Sequence, residues 1–157
     1  MSQPVHAIVL RRFDLSAERV FNAWFDPLWL GRWMCGPEVG DEHIVSLTLD
    51  ARVGGKFSFV VNRQGTEVNH VGEYLELDRP RLLVFTWAIR DRLPETSRVI
   101  VEITPRDSGC EVKLTHVMGD GWSAQVDQAA DAWSKVLDAL EEAIAQEGGM
   151  RAVETTL

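Results

Sequence analysis

The stretch GEYLELDRPRLLVFTW, residues 72–87, decides the fold. It spans two runs, His70 to Leu77 and Leu82 to Arg90, that are rich in the β-branched and aromatic residues typical of strands. Between them lies Asp78-Arg79-Pro80-Arg81, whose composition is typical of a tight turn. Because no helix separates the two runs, they predict neighbouring antiparallel strands.

The same pattern continues on both sides of this hairpin. The run Ile44 to Arg52 alternates apolar and polar side chains, so one face of that strand is expected to meet the core. Further strands are predicted at Val5 to Phe13, Lys56 to Asn62, Arg98 to Thr104 and Cys110 to Val117. Tight turns join all of them except the first, which predicts an antiparallel meander and not a parallel sheet.

Two short helices are predicted after the first strand. Ser16 is a suitable N-cap for the first of them. Asp26-Pro27 is typical of the start of the second helix, and Gly36-Pro37 of its end. A long helix is predicted from Trp122 to Gln146, because its apolar side chains recur at helical spacing and form one stripe.

The long helix is expected to cover the sheet. An antiparallel sheet with one apolar face needs such a cover, and this helix is the element long enough to provide it. The order is then βααββββββα, an α+β fold in one domain over residues 1–157. Its core is expected at about residues 5–147, and Gly148-Gly149 is expected to end the helix before a flexible tail over 148–157.

The composition excludes several classes of function. The 157 residues include 16 basic and 24 acidic ones, and the net charge of −8 argues against nucleic acid or an anionic membrane as partner. No apolar run approaches the roughly 20 residues that span a bilayer, and the first residues do not resemble a signal peptide. With two cysteines and no disulfide framework, the protein is expected in the cytoplasm. The sequence is compatible with a homodimer as well as with a monomer.

The predicted packing leaves room for a cavity. A strongly twisted sheet does not lie flush on a helix, and the two short helices would close one end of the remaining space. Six tryptophans against one tyrosine suit its walls, because large rings with a polar edge hold flat or lipid-like ligands. Trp33 and Trp87 are the expected walls, with Phe57, Phe59 and Trp133 behind them. Plain core packing explains the same rings equally well.

His116 is the most attractive candidate for chemistry. It is expected to face inward on the last strand together with Val112 and Leu114, as a ligand contact or a general base. The commoner arrangement is a buried histidine hydrogen-bonded to the backbone. Glu73 and Glu76 are expected on opposite faces of their strand, so one of them could face inward and act as a buried carboxylate. An exposed position at the edge of the sheet is favoured.

No catalytic set, metal site or cofactor is expected. The histidines, His6, His43, His70 and His116, fall in separate elements without the close spacing of metal ligands. Gly54-Gly55 lies between two strands and lacks the motif of a phosphate-binding loop. The cysteines are isolated in the sequence as well.

Four segments carry a family resemblance. They are AERVFNAWFDPLWLGRWM at 17–34, DARVGGKFSF at 50–59, GEYLELDRPRLLVFTW at 72–87, and GW…VLDAL in the terminal helix. Over about residues 5–147 the chain resembles the bacterial proteins named after the activator of the heat-shock-protein-90 ATPase, within the helix-grip (START-like, SRPBCC) superfamily. The resemblance implies the grip fold and an apolar cavity. It constrains function less, because the superfamily includes lipid carriers, hormone receptors and polyketide cyclases.

Three functional hypotheses follow. The favoured one is a protein without catalytic activity that binds a small apolar or aromatic molecule. The second is an enzyme of the cyclase or hydratase kind that uses His116 or a buried carboxylate as base. The third is a chaperone-linked interaction protein, as the family name suggests, although no segment resembles a separate chaperone-binding domain.

Overall fold

A curved sheet of seven antiparallel strands forms the centre of the molecule. The computed structural model describes residues 4–25, 42–63, 65–93 and 96–156. The strands are β1 (Val5–Phe13), β2 (Glu42–Leu49), β3 (Lys56–Arg63), β4 (Thr66–Asp78), β5 (Leu82–Ile89), β6 (Ser97–Arg106) and β7 (Gly109–Met118). Their order in the sheet is β1-β7-β6-β5-β4-β3-β2. Strands β2 to β7 therefore form the predicted meander, and β1 returns to pair with β7.

One face of the sheet, called the inner face below, carries the core. On β7, Val112, Leu114 and His116 are buried on this face, as their alternation predicts. The pairing of β1 with β7 sets Ala7 opposite His116, so the first strand completes the same face. On β1 the alternate residues Ile8 and Leu10 remain exposed, whereas Ala7 and Val9 are buried.

Helix α1 (Ala17–Ala23) follows β1 directly. The hydroxyl oxygen of Ser16 accepts the backbone N–H of Arg19 at 3.2 Å, which confirms the predicted N-cap. Val20 and Phe21 are fully buried against the sheet. The second predicted short helix lies outside the described residues, together with the Trp29, Trp33 and Cys35 positions.

Helix α2 (Val126–Thr156) packs on the inner face, after a 3₁₀ segment over Asp120–Gln125. The predicted stripe is buried at Trp133, Val136, Leu137 and Leu140. The helix continues past Gly148-Gly149, so the prediction that these glycines end it was wrong. Each glycine in a helix costs about 1 kcal/mol of helix stability relative to alanine. This cost is a conformational preference and not a steric block, so a long helix can continue through both residues. No helix among the described residues is long and apolar enough to cross a membrane.

A β-bulge on β4 changes which residues share a face. Tyr74 pairs with Phe85 and Glu76 pairs with Val84, so Leu75 is the extra residue between them. Glu73, opposite Lys56, lies on the outer face, and the bulge returns Glu76 to that face as well. The expectation that the two glutamates lie on opposite faces was wrong. Strand β4 is also an interior strand, between β3 and β5, and not an edge.

Candidate functional site

The predicted lining residues come together on the inner face, from four different elements. Phe57 and Phe59 lie on β3, Trp87 on β5, His116 on β7 and Trp133 on α2. Trp33 lies outside the described residues. The tertiary fold thus gathers rings that are up to 76 positions apart (from 57 to 133) into one cluster.

Trp87 is the centre of this aromatic cluster. Its ring stacks on His70 at 5.0 Å and makes tilted or edge contacts with Phe57, Phe59 and Trp133 at 6.1, 5.5 and 5.7 Å. Its neighbours Phe59, His70 and Trp133 are all buried, whereas Trp87 itself is only partly buried. Trp87 therefore keeps part of its surface accessible in the middle of an otherwise covered face.

His70 is a member of the cluster that the sequence did not single out. Its imidazole lies between Phe59 and Trp87, with ring centroids at 5.0 Å from each and interplanar angles of 27° and 19°. The signal was present in the sequence, because His70 alternates with Gly72 and Tyr74 on β4. Because the register of that strand was uncertain, the sequence did not show which face His70 takes.

Gly72 explains the position of Phe57. A Cβ at Gly72 would lie 2.3 Å from the Phe57 ring and 2.1 Å from the carbonyl oxygen of Thr86. The Phe57 ring therefore occupies the space that a side chain at Gly72 would need. From there it contacts Tyr74 at 5.6 Å and Phe85 at 5.7 Å, which extends the cluster along β4 and β5.

His116 connects α2 to the sheet through hydrogen bonds. The indole nitrogen of Trp133 donates to Nδ1 of His116 at 3.0 Å. Because an indole is only a donor, Nδ1 carries no proton, and the proton of the neutral ring is on Nε2. Nε2 then donates to the hydroxyl oxygen of Ser97 at 2.7 Å, and Ser97 donates to the carbonyl oxygen of Trp87 at 3.0 Å. The donors and acceptors of this chain are all matched.

This arrangement makes His116 a poor general base. The residue is 7% exposed, and burial lowers the pKa of its imidazole from 6.5 to about 4. The lone pair on Nδ1 already accepts a hydrogen bond from Trp133, so it is not available to take a proton from a substrate. The expected backbone partner is reached indirectly, through Ser97.

Val112 and Leu114 lie on the inner face of β7 and are fully buried among the core residues. Their side chains contribute to the packing that positions His116 on the same strand. That they line a cavity stays a prediction.

Tyr74 is a further inner-face residue that the sequence did not single out. It is 4% exposed, and its ring lies 5.5 Å from Phe25 and 5.6 Å from Phe57. Burial, with a smaller contribution from the Asp50 charge, raises the pKa of its phenol to about 12. The phenol is therefore neutral at any physiological pH.

The outer face carries a separate groove of about 490 Å³. It is open to solvent, and its lining mixes hydroxyl, charged and small apolar side chains, among them Thr48, Lys56, Ser58, Glu73, Ala88 and Arg90. Phe57 and Gly72 also contribute to its lining, so the groove borders the strands that carry the aromatic cluster.

Comparisons with known proteins agree on the fold. Residues 14–145 match the family described as Activator of Hsp90 ATPase homolog 1-like protein. A solved structure from Nitrosomonas europaea is similar at a TM-score of 0.79 and 19% identity, over 92% of this chain and 97% of that one. A protein of unknown function from Staphylococcus aureus has a TM-score of 0.79 at 16% identity, over 94% and 98% of the two chains. The AHSA1-like protein from Aeromonas hydrophila has a TM-score of 0.74 at 20% identity, over 92% and 94%. No curated protein matches the sequence.

Proposed function

Because the chain belongs to the family of activator of Hsp90 ATPase homolog 1-like proteins, we propose that it is a small ligand-binding protein. The ligand is a small apolar or aromatic molecule, and its site is the aromatic cluster between the sheet and α2. The helix-on-sheet architecture supports this assignment, since a long helix on a twisted sheet leaves space for a ligand between them.

The partial exposure of Trp87 is the observation that carries the proposal. A tryptophan ring is rarely covered completely, so the position of the accessible part of Trp87, in the middle of a set of covered rings, is the relevant feature. Trp87 keeps accessible surface while the rings around it are buried. A flat apolar ligand stacked on that surface would remove it from water, and this burial would stabilise the complex by about 25 cal/mol per Å² of apolar surface.

A fluorescence titration tests the proposal. N-phenyl-1-naphthylamine is an uncharged aromatic probe whose emission rises in apolar surroundings and which accepts excitation energy from tryptophan. We expect saturable binding at one site in the folded protein, with quenching of the tryptophan emission. Diffuse, non-saturable uptake would be the behaviour of a molten globule and would contradict the proposal.

Two matched variants locate the site. Trp87→Leu removes the central ring and is expected to weaken probe binding at least fivefold, because the stacking surface is lost. Phe13→Leu is the control, since Phe13 is a fully buried ring that pairs with Cys110, towards the opposite end of the strands from Trp87 and Ser97. It is expected to lower stability and leave the probe affinity unchanged. Equal affinities in both variants would place the probe elsewhere and refute the proposed site.

A further inference from the structure

The groove on the outer face follows from the register of four strands. Its floor is one row of paired residues across β2, β3, β4 and β5, namely Thr48, Ser58, Val71 and Ala88 in that order. Because these side chains are short, the row lies lower than the longer side chains around it. The resulting volume of about 490 Å³ is within the range of small-molecule sites, about 300–1,000 Å³.

A turn after β5 forms one wall of the groove. Strand β5 ends at Ile89, and a 3₁₀ turn over Arg90–Arg92 follows it. The backbone N–H of Leu93 donates to the carbonyl oxygen of Arg90 at 3.2 Å, and both residues line the groove. Leu93 is 50% exposed, so it offers apolar surface there. The turn therefore presents a guanidinium and an aliphatic side chain to the same groove.

The charges that line the groove differ in how they are compensated. Lys56 lies directly opposite Glu73 on β4, with the Cβ separation of about 5 Å that is typical of such pairs, so their charges offset each other. Arg90 is exposed and forms no ion pair with any described residue. On a chain with a net charge of −8, Arg90 is thus a cation for which an anionic ligand is the complementary partner.

We infer that the outer groove is a second binding site, which takes a small amphipathic carboxylate: a molecule with one carboxylate and a short aliphatic body. The carboxylate accepts hydrogen bonds from the Arg90 guanidinium, whose planar fork matches its two oxygens. The aliphatic body lies against Leu93, Val71 and Ala88, where its apolar surface leaves water. This site does not rest on the proposed function, because the aromatic cluster lies on the inner face.

Three probes test the two parts of the ligand separately. They are hexanoate; hexanamide, its neutral isostere; and acetate, which keeps the charge and lacks the aliphatic body. Each is titrated at neutral pH into the isotope-labelled full chain, and binding is followed by nuclear magnetic resonance. The methyl signals of Val71, Ala88 and Leu93 report on the groove, and the indole N–H signals of Trp87 and Trp133 report on the aromatic cluster.

In the unmodified protein we expect hexanoate to shift the three methyl signals saturably and to leave both indole signals in place. Hexanoate is expected to bind at least about fivefold more tightly than hexanamide, because only hexanoate gains charge-assisted hydrogen bonds from Arg90. It is expected to exceed acetate by a similar factor, because acetate buries almost no apolar surface.

Variants on the exposed turn locate the site without disturbing the core. Arg90→Gln is expected to weaken hexanoate binding about fivefold and to remove its preference over hexanamide. Arg19→Gln is the matched control, since Arg19 is an exposed arginine on α1, and it is expected to leave the hexanoate affinity within about twofold. Leu93→Ser is expected to weaken hexanoate about threefold while acetate changes by less than about twofold.

Several results would overturn this inference. Equal affinities for hexanoate and hexanamide would show that charge plays no part, and an unchanged affinity in Arg90→Gln would exclude the guanidinium as the anchor. Shifts confined to the indoles of Trp87 and Trp133 would place hexanoate in the aromatic cluster instead. Absence of saturable shifts at the groove methyls would show that the groove binds no such carboxylate. None of these results bears on the proposed function, which the titration with N-phenyl-1-naphthylamine decides.

Discussion

Trp133 on α2 donates its indole N–H to Nδ1 of His116 on β7 at 3.0 Å, with the two rings nearly perpendicular at 89°. Both residues are buried, at 6% and 7% exposure. The bond joins the helix that covers the sheet to β7, the strand between β1 and β6. It also fixes the tautomer of His116, and through Ser97 it reaches the backbone of Trp87.

Removing the donor tests how much this hydrogen bond contributes to the stability of the fold. Trp133→Phe keeps an aromatic ring in the cluster but leaves Nδ1 of His116 buried without a partner. We expect a loss of about 1–3 kcal/mol in the free energy of unfolding, measured by urea denaturation. The double variant with His116→Leu is expected to recover part of this loss, because the unsatisfied acceptor is then absent. Strictly additive losses would mean that the two residues are not coupled.

The pH dependence of stability follows from the burial of His116. The pKa of its imidazole falls from 6.5 in the unfolded chain to about 4 in the folded protein. Between these pH values the unfolded chain binds the proton and the folded one does not, so acidification favours unfolding. The stabilising contribution is fully present above pH 6.5 and is lost as the pH falls towards 4, on the order of 3 kcal/mol in total.

Comparison with His116→Gln isolates this contribution from that of the carboxylates. Subtracting the unfolding free energies of the variant from those of the unmodified protein, from pH 7.5 to 4, is expected to give a difference that declines below pH 6.5. A difference that is constant over this interval would show that His116 titrates alike in both states. The variant itself is expected to fold, since glutamine also offers a donor and an acceptor.

Gly72 is expected to tolerate no side chain. Gly72→Ala would bring a methyl group within 2.3 Å of the Phe57 ring and 2.1 Å of the Thr86 carbonyl oxygen. We expect a loss of about 1–3 kcal/mol, seen as a lower thermal midpoint and a change in tryptophan emission as Phe57 moves against Trp87. Gly119→Ala is the matched control, because nothing lies within 4 Å of a Cβ there, and it is expected to change stability by less than about 0.5 kcal/mol. Equal stabilities of the two variants would contradict this account of Phe57.

Helix α2 is expected to be indispensable. Burial of Trp133, Leu137 and Leu140 contributes on the order of 2 kcal/mol each, and the helix is the cover of the inner face. Truncation before Trp122 is expected to leave an insoluble or molten chain, as judged by near-ultraviolet circular dichroism and dye binding. A cooperative thermal transition in that fragment would refute the architecture.

Local rules determined much of this fold from the sequence. The alternation on β7 placed Val112, Leu114 and His116 on one face because successive side chains of a strand point to opposite sides. The stripe of α2 followed in the same way from the helical period, and the Ser16 cap from a bond between near neighbours. These features depend on residues close together in the chain, so the sequence carries them directly.

The tertiary structure alone decided what β4 contributes to the site. The bulge at Leu75 placed both Glu73 and Glu76 on the outer face, because one extra residue reverses the alternation that follows it. The position of His70 between Phe59 and Trp87 depends on the register of three strands, to which no local pattern is sensitive.

The same distinction applies to chemistry. The sequence identified His116 as an inward-facing histidine. It could not tell whether this histidine is a catalytic base or a structural hydrogen-bond acceptor, because both would be the same residue at the same position in the alternation of the strand. The difference lies in Trp133 and Ser97, which are 17 and 19 positions away and reach the ring only in the folded protein. Local sequence determines which face a side chain takes, whereas its partners, and with them its protonation, are set by contacts between distant segments.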